Sequence, residues 1–296
     1  MESETPLTNT RPGTVLKRKI NERRGLMVAG AANALASRII QDLGFEAVYL
    51  TGAGITNTFF GMPDMGFVSL ADLAQHTSAT RDAVELPIIV DGDTGFGNEL
   101  NVRHTVRTLE RAGANAIQLE DQSMPKKCGH FNDKSVIPAA EAASKIKAAV
   151  DARQNEDFLI IARTDARAIE GFDAAIERAN LFIEAGADIT FVEAPTSVDE
   201  LRAIPRALSV PQLVNVVIGG KTPTLDAAEF AQMGFGLVLY ANAALQGAVL
   251  GMTAALTRLR DTGRLDEDSG LVASFALRQR LVQKDLFDEL AIKYKR

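Results

Sequence analysis

The sequence is poor in cysteine, histidine and tryptophan. Its 296 residues include one cysteine, Cys128, three histidines and no tryptophan. A single cysteine cannot form an internal disulfide, which is typical of a reducing cytoplasm. Residues 1–12 are polar, and no apolar run is long enough to cross a bilayer. These absences predict a cytoplasmic protein that does not contact a membrane.

An excess of basic residues is also missing. Lys and Arg number 32 against 38 Asp and Glu, for a net charge of -6. Without a basic field, nucleic acid is not an expected partner.

Short apolar runs recur along the chain, each followed by a helix-length amphipathic segment. Runs of this kind indicate strands buried on both faces, which occur in parallel sheets with crossover helices. The eight predicted strands are Leu26–Ala29, Ala47–Leu50, Pro87–Val90, Ala116–Leu119, Phe158–Ala162, Ile189–Val192, Gln212–Val216 and Leu237–Tyr240. Eight units over roughly 250 residues predict a (β/α)8 TIM barrel. A doubly wound open sheet is the alternative, although no Gly-rich dinucleotide fingerprint follows the first strand.

The chain divides into three predicted segments. Residues 1–15 form a polar N-terminal tail, 16–262 the catalytic barrel, and 263–296 a C-terminal helical segment. The last part carries two predicted helices, Ala243–Arg260 and Leu271–Lys293. Because one barrel does not need both, we expect the terminal helix to pack on a partner subunit.

Polar residues follow almost every predicted strand. In a parallel barrel these strand ends meet at one mouth, where active sites lie. A polar residue after a strand can instead cap the next helix, and we assign that role to Asp121 and Asp165. The remaining strand-end candidates are Tyr49, Thr51, Gly52, Ala53, Asp91, Asp93, Glu120, Arg163, Glu193 and Asn215.

Three of these residues are carboxylates. Asp91 and Asp93 would share a face of a regular strand, and Glu120 follows the next strand. Three converging carboxylates repel one another unless a cation lies between them. Oxygen-only ligands favour Mg2+, with Mn2+ as an alternative. Arg163 would hold a substrate carboxylate in a bidentate pair, or would instead be an ion-pair partner of the acids.

The single cysteine lies in the cluster Lys126-Lys127-Cys128-Gly129-His130. Cationic neighbours lower the pKa of a thiol, so Cys128 could transfer a proton near neutral pH. The alternative is a buried cysteine that acts as a small apolar residue, which the polar cluster disfavours.

Together these residues resemble the isocitrate lyase/phosphoenolpyruvate mutase superfamily over roughly residues 20–260. The lysine-cysteine-histidine loop resembles its carbon–carbon lyase branch, which includes 2,3-dimethylmalate and 2-methylisocitrate lyases. The matching stretches are Tyr49–Gly54, Gly61–Gly66, Asp91–Asn98, Glu120–Gln122, Lys126–His130, Arg163–Asp165 and Asn215.

The resemblance implies a Mg2+-dependent barrel whose last helix is exchanged between subunits of a homotetramer. It also implies a mobile loop that carries Cys128 and closes over the substrate. By residue, Asp91, Asp93 and Glu120 match the metal site, with Asp64 close to it. Thr51-Gly52-Ala53 and Arg163 match positions that hold the 2-oxo-acid part of the substrate. Glu193 and Asn215 match positions near its other carboxylate.

Two departures bear on the substrate. Val217 stands where the methylisocitrate enzymes carry threonine, and Gln246 stands where they carry arginine. A buried third carboxylate needs a cationic partner, so these departures favour a substrate with two carboxylates. The segment Asn215–Pro223 resembles the dimethylmalate lyases more closely, except that Ile218 replaces their usual acid.

The predicted reaction is therefore cleavage of a 2-alkylmalate to pyruvate and a carboxylic acid. Tyr49 is the candidate base that removes the hydroxyl proton, with a core-packing tyrosine as the alternative. Cys128 would protonate the carbanion, assisted by Lys127, Gly129 and His130. 2-Methylisocitrate cleavage, oxaloacetate hydrolysis to oxalate and acetate, and non-catalytic metabolite binding are alternatives.

Overall fold

The computed structural model describes residues 11–127, 129 and 133–295. Eight parallel strands follow the order β6-β5-β4-β3-β2-β1-β8-β7, and a parallel bridge between Thr190 and Gln212 joins the two edges. The sheet is thus a nearly closed barrel with flanking helices, which confirms the predicted (β/α)8 fold. The strands are β1 Leu26–Ala31, β2 Val48–Leu50, β3 Ile88–Asp91, β4 Ala116–Glu120, β5 Leu159–Thr164, β6 Ile189–Val192, β7 Leu213–Asn215 and β8 Leu237–Tyr240.

Helices connect the strands on the outside of the barrel. They are α1 Pro12–Asn21, α2 Ala34–Asp42, α3 Gly52–Ile55, α4 Leu70–Ala83, α5 Glu99–Arg111, α6 Ala139–Ala152, α7 Phe172–Glu184, α8 Val198–Ala207, α9 Ala227–Met233, α10 Ala243–Thr262, α11 Phe275–Leu281 and α12 Lys284–Lys293. A π-helical turn, Thr56–Phe60, extends α3. Helix α1 begins at Pro12, four residues before the predicted start of the barrel.

Alternate residues of each strand face two different apolar layers. On β2, Tyr49 points into the barrel interior and packs in a cluster with Ile89 and Phe191. Its neighbours Val48 and Leu50 point outward, into the layer between sheet and helices. Side chains of a strand alternate between faces, and here both faces are buried. This explains why the strands read as continuous apolar runs.

The C-terminal segment departs from the prediction. One helix over Leu271–Lys293 is wrong: the segment contains α11 and α12, separated at Gln283, whose φ is 57°. A left-handed residue cannot continue a right-handed helix. Arg280 of α11 forms a bidentate ion pair with Asp42 of α2.

In the described part of the chain, no helix combines the length and hydrophobicity that crossing a membrane requires.

Candidate active site

The C-terminal ends of the strands surround one small cavity of about 40 Å³. Of the predicted site residues, Cys128 and His130 lie outside the described residues. The residues that line the cavity are Tyr49, Thr51, Ala53, Asp64, Asp91, Glu120, Lys126, Lys127, Gly129, Arg163, Glu193, Asn215, Val217, Leu239, Ala241 and Asn242. Eleven of them were among the predicted site residues, so the structure brings most of the sequence candidates to one place.

Glycine at position 52 allows the backbone to approach the acids. A Cβ atom built on Gly52 would lie 3.3 Å from Asp91 Oδ2 and 3.4 Å from Asp93 Oδ1. The Gly52 N–H donates to Asp91 Oδ2 at 3.2 Å. Thr51 caps the helix that begins here, because its hydroxyl accepts from the Gly54 N–H. This turn therefore places one backbone donor against Asp91 and brings the chain close to Asp93.

Asp91 and Asp93 come together by a different route from the predicted one. Asp91 is the last residue of β3, but Asp93 has a φ of 47° and lies beyond the strand. The expectation that both share a face of a regular strand is therefore wrong. The chain turns at Asp93, and the Asp93 N–H points to Asp91 Oδ1 at 3.4 Å.

Lys126 supplies a positive charge inside the acid cluster, which we define as Asp64, Asp91, Asp93 and Glu120. Its Nζ lies 2.6 Å from Asp64 Oδ1 and 2.6 Å from Asp93 Oδ1, and the side chain is buried. Although burial opposes it, the Asp93 carboxylate raises the pKa of Lys126, which keeps the ammonium charged. The sequence interpretation treated Lys126 only as a cation that lowers the pKa of Cys128, and it missed the ion pairs with the acids.

Even with Lys126, the negative charge of the acid cluster is not fully balanced by positive charge. Burial raises the pKa of Asp93 to about 7, although Lys126 opposes the shift. Burial also raises the pKa of Glu120 well above its usual range, against the effect of Arg163. Glu120 Oε1 is buried and has no hydrogen-bond partner among the described residues. An unpaired buried oxygen is costly to retain without a ligand.

These observations test whether the cluster fits a metal ion. The donors are all oxygen, as Mg2+ prefers, and the unpaired Glu120 oxygen and crowded charges also suit a hard cation. Within the described residues, however, no three His, Cys, Asp or Glu side chains already form a metal-binding arrangement. The donor chemistry fits, while Lys126 occupies part of the space between the acids.

Arg163 is surrounded by carboxylates. It donates to both oxygens of Asp165 at 2.9 and 3.1 Å and pairs with Glu120 at 3.3 Å and Glu193 at 3.2 Å. Against burial, these charges raise its pKa further, with Asp165 contributing most. The structure therefore matches the alternative in which Arg163 is an ion-pair partner of the acids. Binding of a substrate carboxylate by Arg163 remains a prediction.

The helix-cap role given to Asp121 and Asp165 is wrong. Asp165 pairs with Arg163 and, at 2.5 Å, with Lys134, and its side chain caps no helix. Asp121 accepts from the Thr164 hydroxyl and the Asp165 N–H. Both carboxylates thus organise the end of β5. Sequence reasoning missed Lys134, which lies 31 residues from its partner.

Tyr49 is held as a hydrogen-bond donor. Its hydroxyl donates to Gln118 Oε1 at 2.8 Å, and the ring is buried. Burial and the nearby Asp91 charge raise its pKa well above the ordinary value. The buried ring fits the packing alternative, while the same residue also lines the cavity, and its role as a base stays a prediction.

The loop that follows β4 covers the mouth. A Cβ atom on Gly129 would lie 2.6 Å from Glu193 Cγ and would also overlap the Arg163 guanidinium, so only glycine fits there. The Lys127 backbone forms two hydrogen bonds with the Gln122 side chain, and Lys127 Nζ donates to the Asp133 carbonyl at 3.0 Å. The described parts of this loop therefore lie against the acid side of the cavity.

The opposite end of the cavity, which we call the far end, is lined by Asn215, Val217, Leu239, Ala241 and Asn242. Glu193 directly follows the neighbouring strand β6, level with Asn215 in the strand register, and among the described residues this end contains no cation. The Oδ1 atoms of both asparagines are buried without a described hydrogen-bond partner. Gln246 is exposed and donates to the Ile218 carbonyl at 3.4 Å. Asn242 was not among the predicted site residues.

A charged pocket at the C-terminal face of a parallel barrel defines the class of protein: a barrel enzyme. The phosphoenolpyruvate phosphomutase family model matches residues 16–260. The chain belongs to this family, in the PEP mutase/isocitrate lyase superfamily.

Two of the most similar relatives are lyases. The chain is 45% identical to 2-methylisocitrate lyase of Aeropyrum pernix, over 86% of this chain and 81% of the relative. It is 41% identical to 2,3-dimethylmalate lyase of Eubacterium barkeri, over 83% and 85%. These similarities confirm the prediction of a carbon–carbon lyase of this superfamily, and they leave its substrate open.

Solved structures agree with this assignment. A crystal structure of 2,3-dimethylmalate lyase has a TM-score of 0.90 and 31% identity, covering 96% of this chain and 95% of that one. Oxaloacetate acetylhydrolase in complex with 3,3-difluorooxalacetate has a TM-score of 0.87 and 32% identity, covering 94% and 95%. Phosphonopyruvate hydrolase in complex with oxalate and Mg2+ has a TM-score of 0.85 and 27% identity, covering 96% and 99%.

Proposed function

We propose that the protein is a Mg2+-dependent lyase that cleaves the C2–C3 bond of a 2-hydroxy dicarboxylate. The substrate is a 2-alkylmalate such as 2,3-dimethylmalate, and the products are pyruvate and a carboxylic acid such as propionate. One observation carries this proposal: a single cavity has crowded carboxylates, whose negative charge is only partly balanced, at one end and two asparagine amides without a neighbouring cation at the other.

Asp91, Asp93 and Glu120 would hold the ion, which is Mg2+ or, as a second choice, Mn2+. The ion would lower the pKa of the substrate hydroxyl and stabilise the developing 2-oxo acid, so that a basic group at the acid end of the cavity takes up the hydroxyl proton as the bond breaks. The Glu120 oxygen without a described partner supports this assignment, as does the Mg2+ bound to the phosphonopyruvate hydrolase neighbour.

The 2-oxo-acid part of the substrate would bind against Thr51-Gly52-Ala53 and Arg163. Thr51, Ala53, Asp64 and Arg163 all line the cavity. Asp64 also forms an ion pair with Lys126. The buried guanidinium of Arg163 is fixed by Asp165. A preorganised cation of this kind stabilises negative charge as it develops.

Breaking the C2–C3 bond leaves an enediolate that must take up a proton on carbon. We assign that proton to the Cys128 thiol, with His130 and the Asn215 amide stabilising the enediolate. Lys127 and Gly129 flank Cys128 in sequence and line the cavity, which supports delivery of the thiol to this side. Closure of the loop would exclude water that could otherwise protonate the intermediate.

The deciding experiment is product identification by mass spectrometry. The protein is incubated with malate, 2-alkylmalates, 2-methylisocitrate and oxaloacetate in the presence of Mg2+. Pyruvate with propionate from 2,3-dimethylmalate is the expected result. Oxalate with acetate from oxaloacetate alone, or no product from any compound, would contradict the proposal.

2-Methylisocitrate is the second candidate substrate, because the Aeropyrum pernix relative carries that name. Its third carboxylate would need a cation near the far end. Gln246, one helical turn after Asn242 on α10, is uncharged, and this favours the smaller dicarboxylate. Oxaloacetate, whose difluoro analogue binds a structural neighbour, is the third.

We further propose a cytoplasmic homotetramer in which the C-terminal segment packs on a partner subunit. The exposed apolar side chains of the last helices support this proposal: Val249, Leu250, Met252, Leu256, Phe275, Phe287 and Ile292. Burial of such a surface is favourable. Light scattering of the purified protein would show a tetramer, and a monodisperse monomer would refute the assembly.

A further inference from the structure

Asn242 is a second amide at the far end of the cavity. It lies two residues after β8, while Asn215 is the last residue of β7. The two strands pair with Asn215 opposite Leu239. Both amides therefore belong to the C-terminal ends of neighbouring strands, and both line the cavity.

The fold does not use the Asn242 side chain in the usual way. Asn242 is the N-cap residue of the 20-residue helix α10, yet its side chain makes no capping hydrogen bond. Asparagine at this position ordinarily accepts a bond from the first turn. Here Oδ1 is buried and has no partner among the described residues, and the same is true of Asn215 Oδ1. Buried polar atoms without a protein partner point to a ligand.

The surroundings of the two amides contain no cation among the described residues, and the neighbouring carboxylate is Glu193, which directly follows strand β6 and pairs with Arg163 at 3.2 Å. Val217, Leu239 and Ala241 complete this end of the cavity. The cations Lys126 and Arg163 are paired with carboxylates at the other end. A ligand group at the far end would therefore meet hydrogen-bonding amides rather than a counter-charge.

We propose that Asn242 is a specificity-determining residue that, with Asn215, hydrogen-bonds the second carboxylate of the substrate. This inference rests on the proposed function, which supplies a substrate with two carboxylates. An amide presents its N–H2 group or its carbonyl by a half-turn of the side chain, so the pair can donate to a carboxylate. Two neutral amides accommodate one such group beside a short alkyl chain and reject a third carboxylate, which lacks a cation here.

Binding measurements with two probes test this assignment. Malate spans both ends of the cavity, whereas oxalate is short and reaches only the acid end. Affinities are measured by calorimetry with Mg2+ for the wild type, Asn242→Ala and Asn242→Asp. We expect Asn242→Ala to weaken malate about tenfold, the loss of one hydrogen bond. Asn242→Asp should weaken it by about 100-fold or more, because it places a negative charge beside a carboxylate. Oxalate affinity should change less than about twofold.

The aspartate variant separates recognition from helix capping. Aspartate is as good an N-cap as asparagine, so thermal unfolding should show a folded protein. Wild-type malate affinity in Asn242→Asp, or an equal loss for oxalate and malate, would overturn the inference, as would a wild-type protein that binds no dicarboxylate. Failure of the proposed function alone has another signature: Asn242-dependent malate binding without cleavage of any alkylmalate.

Discussion

Lys126 Nζ lies 2.6 Å from Asp93 Oδ1, at the position where an acid-rich cluster most needs positive charge. The same nitrogen lies 2.6 Å from Asp64. Lys126 thus stabilises the cluster in the structure described here, and a divalent ion held by Asp93 would do so in its place. Under the proposed function, the lysine and a bound ion would be alternative sources of charge for one carboxylate.

Lys126→Met should make the fold depend on the metal. Removing one partner of a buried ion pair costs about 3–5 kcal/mol, so we expect a clear fall in the unfolding temperature in EDTA. Excess Mg2+ should recover more stability in the variant than in the wild type. Thermal unfolding with and without Mg2+ measures both effects. Lys147→Met, which removes an exposed pair with Asp151, is the matched control and should change little; similar behaviour of the two variants would disprove the role given to Lys126.

Cys128→Ser should retain substrate binding and lose turnover. Serine is a much weaker acid than a cysteine with cationic neighbours, so cleavage should fall by about 10²-fold or more. Calorimetry with Mg2+ and oxalate should give wild-type affinity. Near-normal turnover would remove the cysteine from the mechanism.

Gly129→Ala should slow catalysis without unfolding the protein. The added methyl group would overlap Arg163 and Glu193 when the loop lies in its described position, so we expect a higher KM and a lower kcat, with a fall in unfolding temperature of a few degrees. Gly251→Ala adds a methyl group to α10 with no atom within 4 Å and serves as the control. Equal kinetics in both variants would show that close approach at Gly129 has no functional role.

Removal of divalent ions should abolish cleavage. The crowded carboxylates leave Glu120 Oε1 without a described partner, and the proposed substrate hydroxyl is too weak an acid to lose its proton unaided. Activity is measured in excess EDTA and again after addition of Mg2+, Mn2+ or Zn2+. We expect Mg2+ and Mn2+ to restore it; full activity in EDTA would refute the metal site.

Gln246→Arg should improve the use of 2-methylisocitrate relative to 2,3-dimethylmalate. Gln246 lies one helical turn after Asn242 on α10, and its side chain donates to the Ile218 carbonyl, so the longer arginine would supply a cation for a third carboxylate at the far end. The ratio of kcat/KM values for the two substrates should rise about tenfold or more. An unchanged ratio would place the determinant of substrate size elsewhere.

The fold could be predicted from sequence because each strand is buried on both faces. Leu237–Tyr240 was predicted with the bounds that the structure shows, and the apolar runs of the other strands are equally distinct. The helix break at Gln283 could not be predicted, because its left-handed backbone leaves no mark in a sequence that otherwise reads as helical.

The site could be predicted only in part, because some of its residues lie on a loop and not at the end of a strand. Residues that end strands are brought to one mouth by topology alone, which identified Asp91, Glu120 and Arg163. Lys126 and Lys134 instead reach their partners from a loop, 62 and 31 residues away in sequence. No periodic pattern marks such contacts. Asn242 was missed because an asparagine before a helix reads as an ordinary cap.

Lys126 and Lys134 lie on either side of residues 128–132, and both are anchored by buried ion pairs: Lys126 to Asp64 and Asp93, and Lys134 to Asp165. These carboxylates follow three different strands, β2, β3 and β5. The loop after β4 is therefore attached to the rim of the barrel on both of its sides by opposite charges. Salt should weaken this attachment little, because buried pairs are poorly screened.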